Sequence, residues 1–369
     1  MRFKYYIKTA PPEDGTDQVI DSFISLSYTR RLNEVGFATV VLPRDHPAVS
    51  NLALDSVALI FRGQPHDTVN VAYYQDFAGI WRGNIFSTDR SGRQTVTLYI
   101  PDTMSVIARE IVAFKAGVAN RSLWSSKTVA QIWADVLNYN FTVVDAQRIL
   151  PFTSLSTVPR VSFDSAPTGP TIDYAAAYRN VLTVLQELAD IGGFYFIASS
   201  NASFSGVIGD YQNVRLLVNS GTDRSATVTF ALERANVLNV DLDQRRLNEP
   251  TKMIVGGQGE GTARTVNVRT SADYTTINHT EIFIDARDLA MSVALDAKGD
   301  AKLAETAYRP RFTFRASQAP GSYYGRDYFL GDLVYALYEG QGFTQRIVGV
   351  TVAVDEDGRE SIELDLDDA

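Results

Sequence analysis

Cysteine is absent from this chain, which excludes disulfides, thiolate zinc sites and cysteine nucleophiles. Histidine is scarce: His46, His66 and His279 lie far apart, and no H-E-x-x-H pair exists. Positive charge is in deficit, with 34 Lys and Arg against 43 Asp and Glu, a formal net charge of −9. Such a chain is poorly suited to grip nucleic acid by neutralising phosphates. Long hydrophobic runs are missing too. No stretch approaches the roughly 20 apolar residues of a membrane span. The opening MRFKYYIKTAPPEDG lacks the apolar core of a secretory signal. There is no Gly-Lys-Ser/Thr of a P-loop and no G-x-S-x-G elbow. No catalytic residue, no cofactor-binding residue and no metal ligand is nominated. Enzyme activity and cofactors are not expected.

What is present is an ordinary globular composition, 45% apolar and 21% charged over 369 residues. Length alone suggests two or three domains. The most informative stretch is Trp81–Tyr99, WRGNIFSTDRSGRQTVTLY, which reads as two strands around a tight turn. It returns as Ile347–Asp365, IVGVTVAVDEDGRESIELD. Gly83 and Gly349, Asp89 and Asp355, Gly92 and Gly358, and Arg93 and Arg359 all stand 266 residues apart (349 − 83). Val96 and Leu98 fall on Ile362 and Leu364 at the same spacing. Upstream, DSVALIFRG from Asp55 resembles DLVYALYEG from Asp332, at a spacing of 277 (332 − 55). Strand, loop and hairpin recur in one order, as expected of a duplicated module. The first copy's Gly63–Gly79 loop is then longer by 11 residues (277 − 266).

Residues 1–100 look all-β: FISLSYTRRL and GFATVVLP are strands broken at Asn33–Gly36 and Pro43, and Val57, Leu59 and Phe61 alternate onto one face. Between the copies, from Pro101–Asp102, the pattern changes. Asp102 is a fair N-cap for a helix through about Ala116. Val129, Ile132, Trp133, Val136 and Leu137 make a helical stripe, with Thr128 and Gln131 spaced as a capping box. Tyr178, Val181, Leu182, Leu185, Leu188 and Ala189 line one face of a helix stopped by Gly192–Gly193. FYFIAS and VRLLVN read as strands. A further helix runs through Ala304, broken or bent near Gly299. The expected division is a first β-module at 1–102, an α+β insert at 103–235, a second β-module at 236–262 and 310–369, and a small insert with a helix at 263–309.

Three features invite chemistry. Gly256-Gly257-Gln258-Gly259-Glu260-Gly261 follows a strand, but G-x-G-x-x-G fails and the next segment, TARTVNVRT, is β-branched. No helix N-terminus therefore awaits a phosphate, and a tight bend is the plainer reading. Glu260, Asp285 and Asp288 could pair as glycosidase carboxylates; Arg264 and Arg287 could instead tie Asp285 into a structural ion network. The Gly63–Gly79 loop, with Tyr73–Tyr74, suits a contact surface. A glycan-binding or glycan-hydrolysing protein is the alternative these residues leave open.

The chain resembles the baseplate-hub and tail-tip hub proteins of long-tailed bacteriophages, relatives of the trimeric hub of contractile tails. Three blocks carry the resemblance: LSYTRRLNEVGFATVVLPRDHPAVSNLALDSVALIFRG leading to WRGNIFSTDR; NEPTKMIVGGQGEGTARTV with IFIDARDL; and LGDLVYALYEGQGFTQRIVGVTV. The resemblance implies a mainly β fold with α+β inserts and two tube-like antiparallel β-barrel modules per chain. It implies a homotrimer whose six modules form a pseudo-sixfold ring in the virion, made in the host cytoplasm. Its partners would be the tail-tube or distal tail ring, tip or fibre proteins, and the tape-measure protein. DNA would pass through without specific binding. No fused wall hydrolase is expected, since the sequence stops at IELDLDDA after the second hairpin.

Overall fold

The computed structural model describes residues 4–10, 17–63, 73–112, 122–142, 161–176, 178–200, 214–243, 246–247, 249–287, 289, 292–307 and 311–368. The first eight strands are β1 (Tyr5–Ala10), β2 (Gln18–Ile20), β3 (Ser25–Arg31), β4 (Phe37–Pro43), β5 (Val57–Gly63), β6 (Tyr73–Ile80), β7 (Gly83–Thr88) and β8 (Gln94–Pro101). β2, β1, β5 and β6 make a four-stranded antiparallel sheet, while β3, β4, β8 and β7 are successive neighbours in a larger one. Period-two alternation sets the faces of that larger sheet. Leu26, Tyr28, Ala38, Val40, Leu42, Val96, Leu98 and Ile100 point into the core, while Ser25, Ser27, Thr29, Thr39, Thr95 and Thr97 occupy the opposite face.

The insert holds α1 (Met104–Ala108), β9 (Ser122–Thr128), α2 (Val129–Leu137), β10 (Val161–Phe163), β11 (Thr171–Ala176), α3 (Val181–Gly192), β12 (Phe196–Ser200) and β13 (Val214–Val218). α2 starts at the expected capping box: Gln131 N donates to Thr128 Oγ1 at 3.3 Å and Thr128 N donates to Gln131 Oε1 at 3.1 Å. Its stripe of Ile132, Trp133, Val136 and Leu137 packs against Leu185 and Leu188 of α3 in one buried cluster. α3 stops at Gly193, whose φ of 66° an L side chain adopts only with strain.

Two helix expectations are corrected. α1 ends at Ala108 rather than near Ala116, because the following backbone pairs with the lead-in to α3: Val112 N donates to Arg179 O at 2.7 Å and Tyr178 N to Val112 O at 3.1 Å. Residues 113–121 lie outside the described residues. Tyr178 is not on the α3 face. It sits ahead of the Asn180 N-cap with φ 55° and is exposed.

The rest of the chain is β14 (Thr229–Ala231), β15 (Val237–Asp243), β16 (Lys252–Gly256), β17 (Val266–Thr270), β18 (Glu281–Asp285), α4 (Ser292–Thr306), β19 (Arg311–Ala316), β20 (Leu333–Tyr338), β21 (Gln341–Asp355) and β22 (Glu360–Asp368). β17, β16 and β18 form a small sheet under α4, and Met253 and Val255 of β16 share the core of the α+β insert. α4 runs unbroken through Gly299, another correction. A Cβ at Gly299 would stand 2.7 Å from Arg269 and 3.0 Å from Val255, so the glycine serves close packing on the sheet, not a bend.

The class is the expected one, mainly β with α+β inserts. Among the described residues there are five sheets, and no strand order closes on itself. The largest sheet runs β15-β19-β22-β21-β3-β4-β8-β7, with β20 and β14 attached beside β21. β15-β19-β22-β21 and β3-β4-β8-β7 have the same internal order, and they join end to end where β21 pairs antiparallel with β3.

Candidate functional site

The sequence candidates for chemistry resolve into structural parts. Gly259 and Gly261 take positive φ (101° and 54°) in the bend after β16. Arg264 folds back onto that bend, donating from Nε to Gly257 O at 3.2 Å and from Nη2 to Gly256 O at 3.1 Å. Its guanidinium occupies the space a Cβ on Gly256 would need, 2.7 Å away. The bend leads into strand β17, so no α-helix N-terminus is present to receive a phosphate. Arg264 also reaches Asp285 at 2.5 Å, and Arg287 reaches it from the other side at 3.2 Å. Arg264, Asp285 and Arg287 are thus brought together as an ion network. Asp288 lies outside the described residues.

His46 caps the short turn Pro47–Asn51, accepting at Nδ1 from Ala48 N at 3.2 Å. His279 lies between Tyr274 (2.9 Å) and Glu281 (3.1 Å). His66 lies outside the described residues, as does most of the Gly63–Gly79 loop. No group of three metal-ligating side chains occurs among the described residues.

A cleft of about 580 Å³ opens where α3 and α4 meet β20 and β21. Asp190 and Glu305 face it, and burial together with the nearby Glu305 charge pushes the Asp190 carboxyl up to about 6. Arg346 enters from β21 but is engaged, donating to Tyr195 Oη and Gly331 O, each at 2.9 Å.

Sequence reasoning missed a buried polar network that ties the four-stranded sheet to the large one. Arg62 on β5 grips Glu360 on β22, from Nη2 to Oε1 at 2.6 Å and from Nε to Oε2 at 2.7 Å. Arg62 Nη1 adds Tyr74 Oη and Tyr324 O, each at 2.7 Å. Tyr5 donates to the same carboxylate. Beside it, Asp76 accepts from Tyr28 at 2.5 Å, Tyr324 at 2.9 Å and Arg30 at 3.1 Å. Burial would lower the basicity of Arg62, but the Glu360 hydrogen bond outweighs it and holds the guanidinium charged. Burial raises the phenols of Tyr5, Tyr28 and Tyr324 well above their usual range. Tyr74, one of the pair singled out in sequence, belongs to this network and not to an exposed contact loop. Every polar atom named here is satisfied by another, so the network suits a joint rather than a reaction centre.

The feature left to carry function is the repeat itself. β7 and β8 pair as Gly83↔Tyr99, Asn84↔Leu98, Ile85↔Thr97, Phe86↔Val96, Ser87↔Thr95 and Thr88↔Gln94. β21 and β22 pair as Gly349↔Asp365, Val350↔Leu364, Thr351↔Glu363, Val352↔Ile362, Ala353↔Ser361 and Val354↔Glu360. Both members of every pair are displaced by 266 (349 − 83 and 365 − 99). The turns match bond for bond. Asp89 N donates to Arg93 O and its Oδ1 accepts from Arg93 N; Asp355 and Arg359 repeat this, and Gly92 and Gly358 take φ of 86° and 73°.

Upstream, the expected spacing of 277 becomes 276. Asp55 N donates to Trp81 O and Trp81 N to Ser56 O; Gly331 N donates to Ile347 O and Ile347 N to Asp332 O. Asp55 therefore corresponds to Gly331 (331 − 55 = 276), both with positive φ, at 69° and 93°. The first copy's loop is longer by 10 residues (276 − 266), not 11.

Each module ends in a strand with a free side. Among the described residues β7 is paired only with β8, and β15 only with β19. Val352 on β21 is fully buried where β3 lies beside it, whereas its counterpart Phe86 on β7 is 55% exposed. Phe86 points to the core side of the sheet, opposite buried Val96, at the open edge.

Comparison with known proteins agrees with this architecture. The solved structures it is similar to include the 43 kDa tail protein of prophage MuSo2 from Shewanella oneidensis (TM-score 0.62, 12% identity, 99% of this chain and 98% of that one). They also include a tail protein from Neisseria meningitidis (TM-score 0.63, 12% identity, 99% and 96%). A third is the E. coli c3393 protein, described as a type VI secretion component with structural similarity to the T4 tail proteins gp27 and gp5 (TM-score 0.52, 10% identity, 98% and 76%). No curated protein sequence matches the chain. The family described as Siphovirus ReqiPepy6 Gp37-like protein matches residues 16–366. The chain belongs to that family, and its fold is the one seen in the two prophage and bacterial tail proteins above.

Proposed function

We propose that this protein is a phage tail component, a ring-forming hub without enzymatic activity. Three copies place six related β-modules around one axis, join the hexameric tail tube to a threefold tip, and leave a passage for DNA and the tape-measure protein. One observation carries this reading: two modules of the same strand order stand head to tail in one sheet, with an open strand edge at each end. A head-to-tail contact generates a ring when the rotation between units closes. The proposed domain division follows, with one β-module before the α+β insert and one after it.

The wall chemistry supports a passage that does not hold DNA. The face of the large sheet away from the core carries Ser25, Ser27, Thr29, Thr39, Thr95, Thr97 and Thr351. Arg31 on that face is neutralised by Asp365 at 2.6 Å. Phosphate retention needs Lys and Arg free to replace counterions.

The test is the mass of the chain in solution and in isolated tails, together with a cell-wall digestion assay. Multiples of three with no wall cleavage are the expected result. A monomer in the assembled tail, or clear cleavage by this chain alone, would overturn the reading.

A further inference from the structure

We infer that β7 of one copy pairs with β15 of the next, antiparallel, in a register copied from the β21–β3 seam inside the chain. The inference rests on the ring reading above and names the surfaces that close the ring.

The register follows from equivalences already fixed. Phe86 corresponds to Val352 through the 266-residue repeat. For the other side, β4 pairs β8 as Val40↔Leu98 and Leu42↔Val96, while β19 pairs β22 as Phe314↔Leu364 and Ala316↔Ile362. β4 therefore maps to β19 at a spacing of 274 (314 − 40), which sends Ala38 to Phe312. Ala38 faces Tyr28, and Phe312 faces Leu242. Leu242 is thus the counterpart of Tyr28. Within the chain Val352 lies opposite Tyr28, so between chains Phe86 lies opposite Leu242, and Ile85 opposite Asp243.

β7 looks like half of a seam. Stable edges are normally blunted by charge, proline or a cover. β7 reads GNIFST, with no charge and no proline, and exposes Ile85 and Phe86 at 52% and 55%. At the other end Leu238 on β15 is 51% exposed, opposite Arg315. Arg44 leans over Phe86, its guanidinium carbon 4.1 Å from the ring centre, and leaves more than half of the residue open. The internal seam shows what such a strand does when covered: Val350, Val352 and Val354 of β21 and Leu26 and Tyr28 of β3 are all buried.

A cysteine-free chain permits a clean test. Phe86→Cys combined with Leu242→Cys, oxidised in assembled tails, should give disulfide-linked dimers and trimers. Six strands separate the two edges within one chain, so the link must form between chains. Phe86→Cys with Leu238→Cys, three ladder positions away and turned to the other face by the bulge in β15, should link at least tenfold less. Equal linkage by the shifted pair, or linkage by Phe86→Cys alone, would overturn the inference. So would no linkage in a chain that is still multimeric, with the ring reading left standing. A monomeric chain in tails would remove both. As a second measure, Phe86→Lys should abolish self-association while leaving the chain's melting curve unchanged; retained association would overturn the seam.

Discussion

Arg62 and Glu360, 298 residues apart in the chain, face each other at 2.6 Å with side chains 1% and 0% exposed. They join the first module's four-stranded sheet to the last strand of the second. Removing one partner strands the other charge in the core, which costs about 3–5 kcal/mol. Glu360→Gln should therefore destabilise the chain by that order in a denaturant titration. Arg62→Met with Glu360→Leu removes both charges and should be milder than either single change. A double variant as damaged as the singles would show that the pair is not the joint.

Stability should fall as pH rises from about 4 to about 7, and Asp102 is the reason. Its carboxyl accepts from Gly36 N at 2.7 Å and Met104 N at 2.9 Å, yet burial outweighs these bonds and pushes it up to about 7. An unfolded Asp titrates near 3.9. The folded chain therefore binds this proton more tightly, and the stabilisation is complete below about pH 4 and lost through pH 7. Asp190, pushed up to about 6, contributes with the same sign. Asp102→Asn should flatten the slope across that window in melts taken at several pH values. An unchanged slope would mean that Asp102 titrates normally.

The two hairpin turns should respond to substitution as twins. Gly92 and Gly358 occupy the same turn position with φ of 86° and 73°. An L side chain there costs roughly 1–2 kcal/mol. Gly92→Ala and Gly358→Ala should lose similar stability, and their combination should be close to additive because the turns close separate hairpins. A tenfold difference in their unfolding constants would indicate that the turns are not equivalent.

The hairpins were legible in sequence because short-range physics writes them. Asp89 and Gly92 mark the turn, and alternation marks the strands. α2 and α3 were legible through caps at Thr128 and Gly193. The one-residue error in the upstream spacing comes from matching Asp55 to Asp332 by residue type: in the ladder Ser56 takes the Asp332 position, each accepting at its carbonyl from the facing strand, and a shared aspartate one place away hides the shift. Gly299 misled because a glycine kept for close packing looks the same in sequence as one kept for a bend. The β21–β3 seam and the Arg62–Glu360 pair could not be read. Each joins residues about 300 positions apart, and nothing local to Arg62 distinguishes it from the surface arginines.

The hydroxyl face of the large sheet should set how fast DNA passes. Ser27 and Thr39 lie opposite each other on β3 and β4, both on the face away from the core and both half-buried. Lysines there keep their stems along the sheet and extend their ammonium groups into solvent, so Ser27→Lys with Thr39→Lys should fold and assemble. Repeated around a ring, the pair would line the passage with cations where the native wall presents hydroxyls and a paired Arg31. Each phosphate that a lysine neutralises releases counterions, so retention should be strong at low salt and weaken steeply as salt rises. Dye-reported DNA release from otherwise normal particles should slow severalfold in dilute buffer and recover with added salt. A release rate equal to the native one at every salt concentration, in particles carrying the full complement of the variant, would place this face outside the passage.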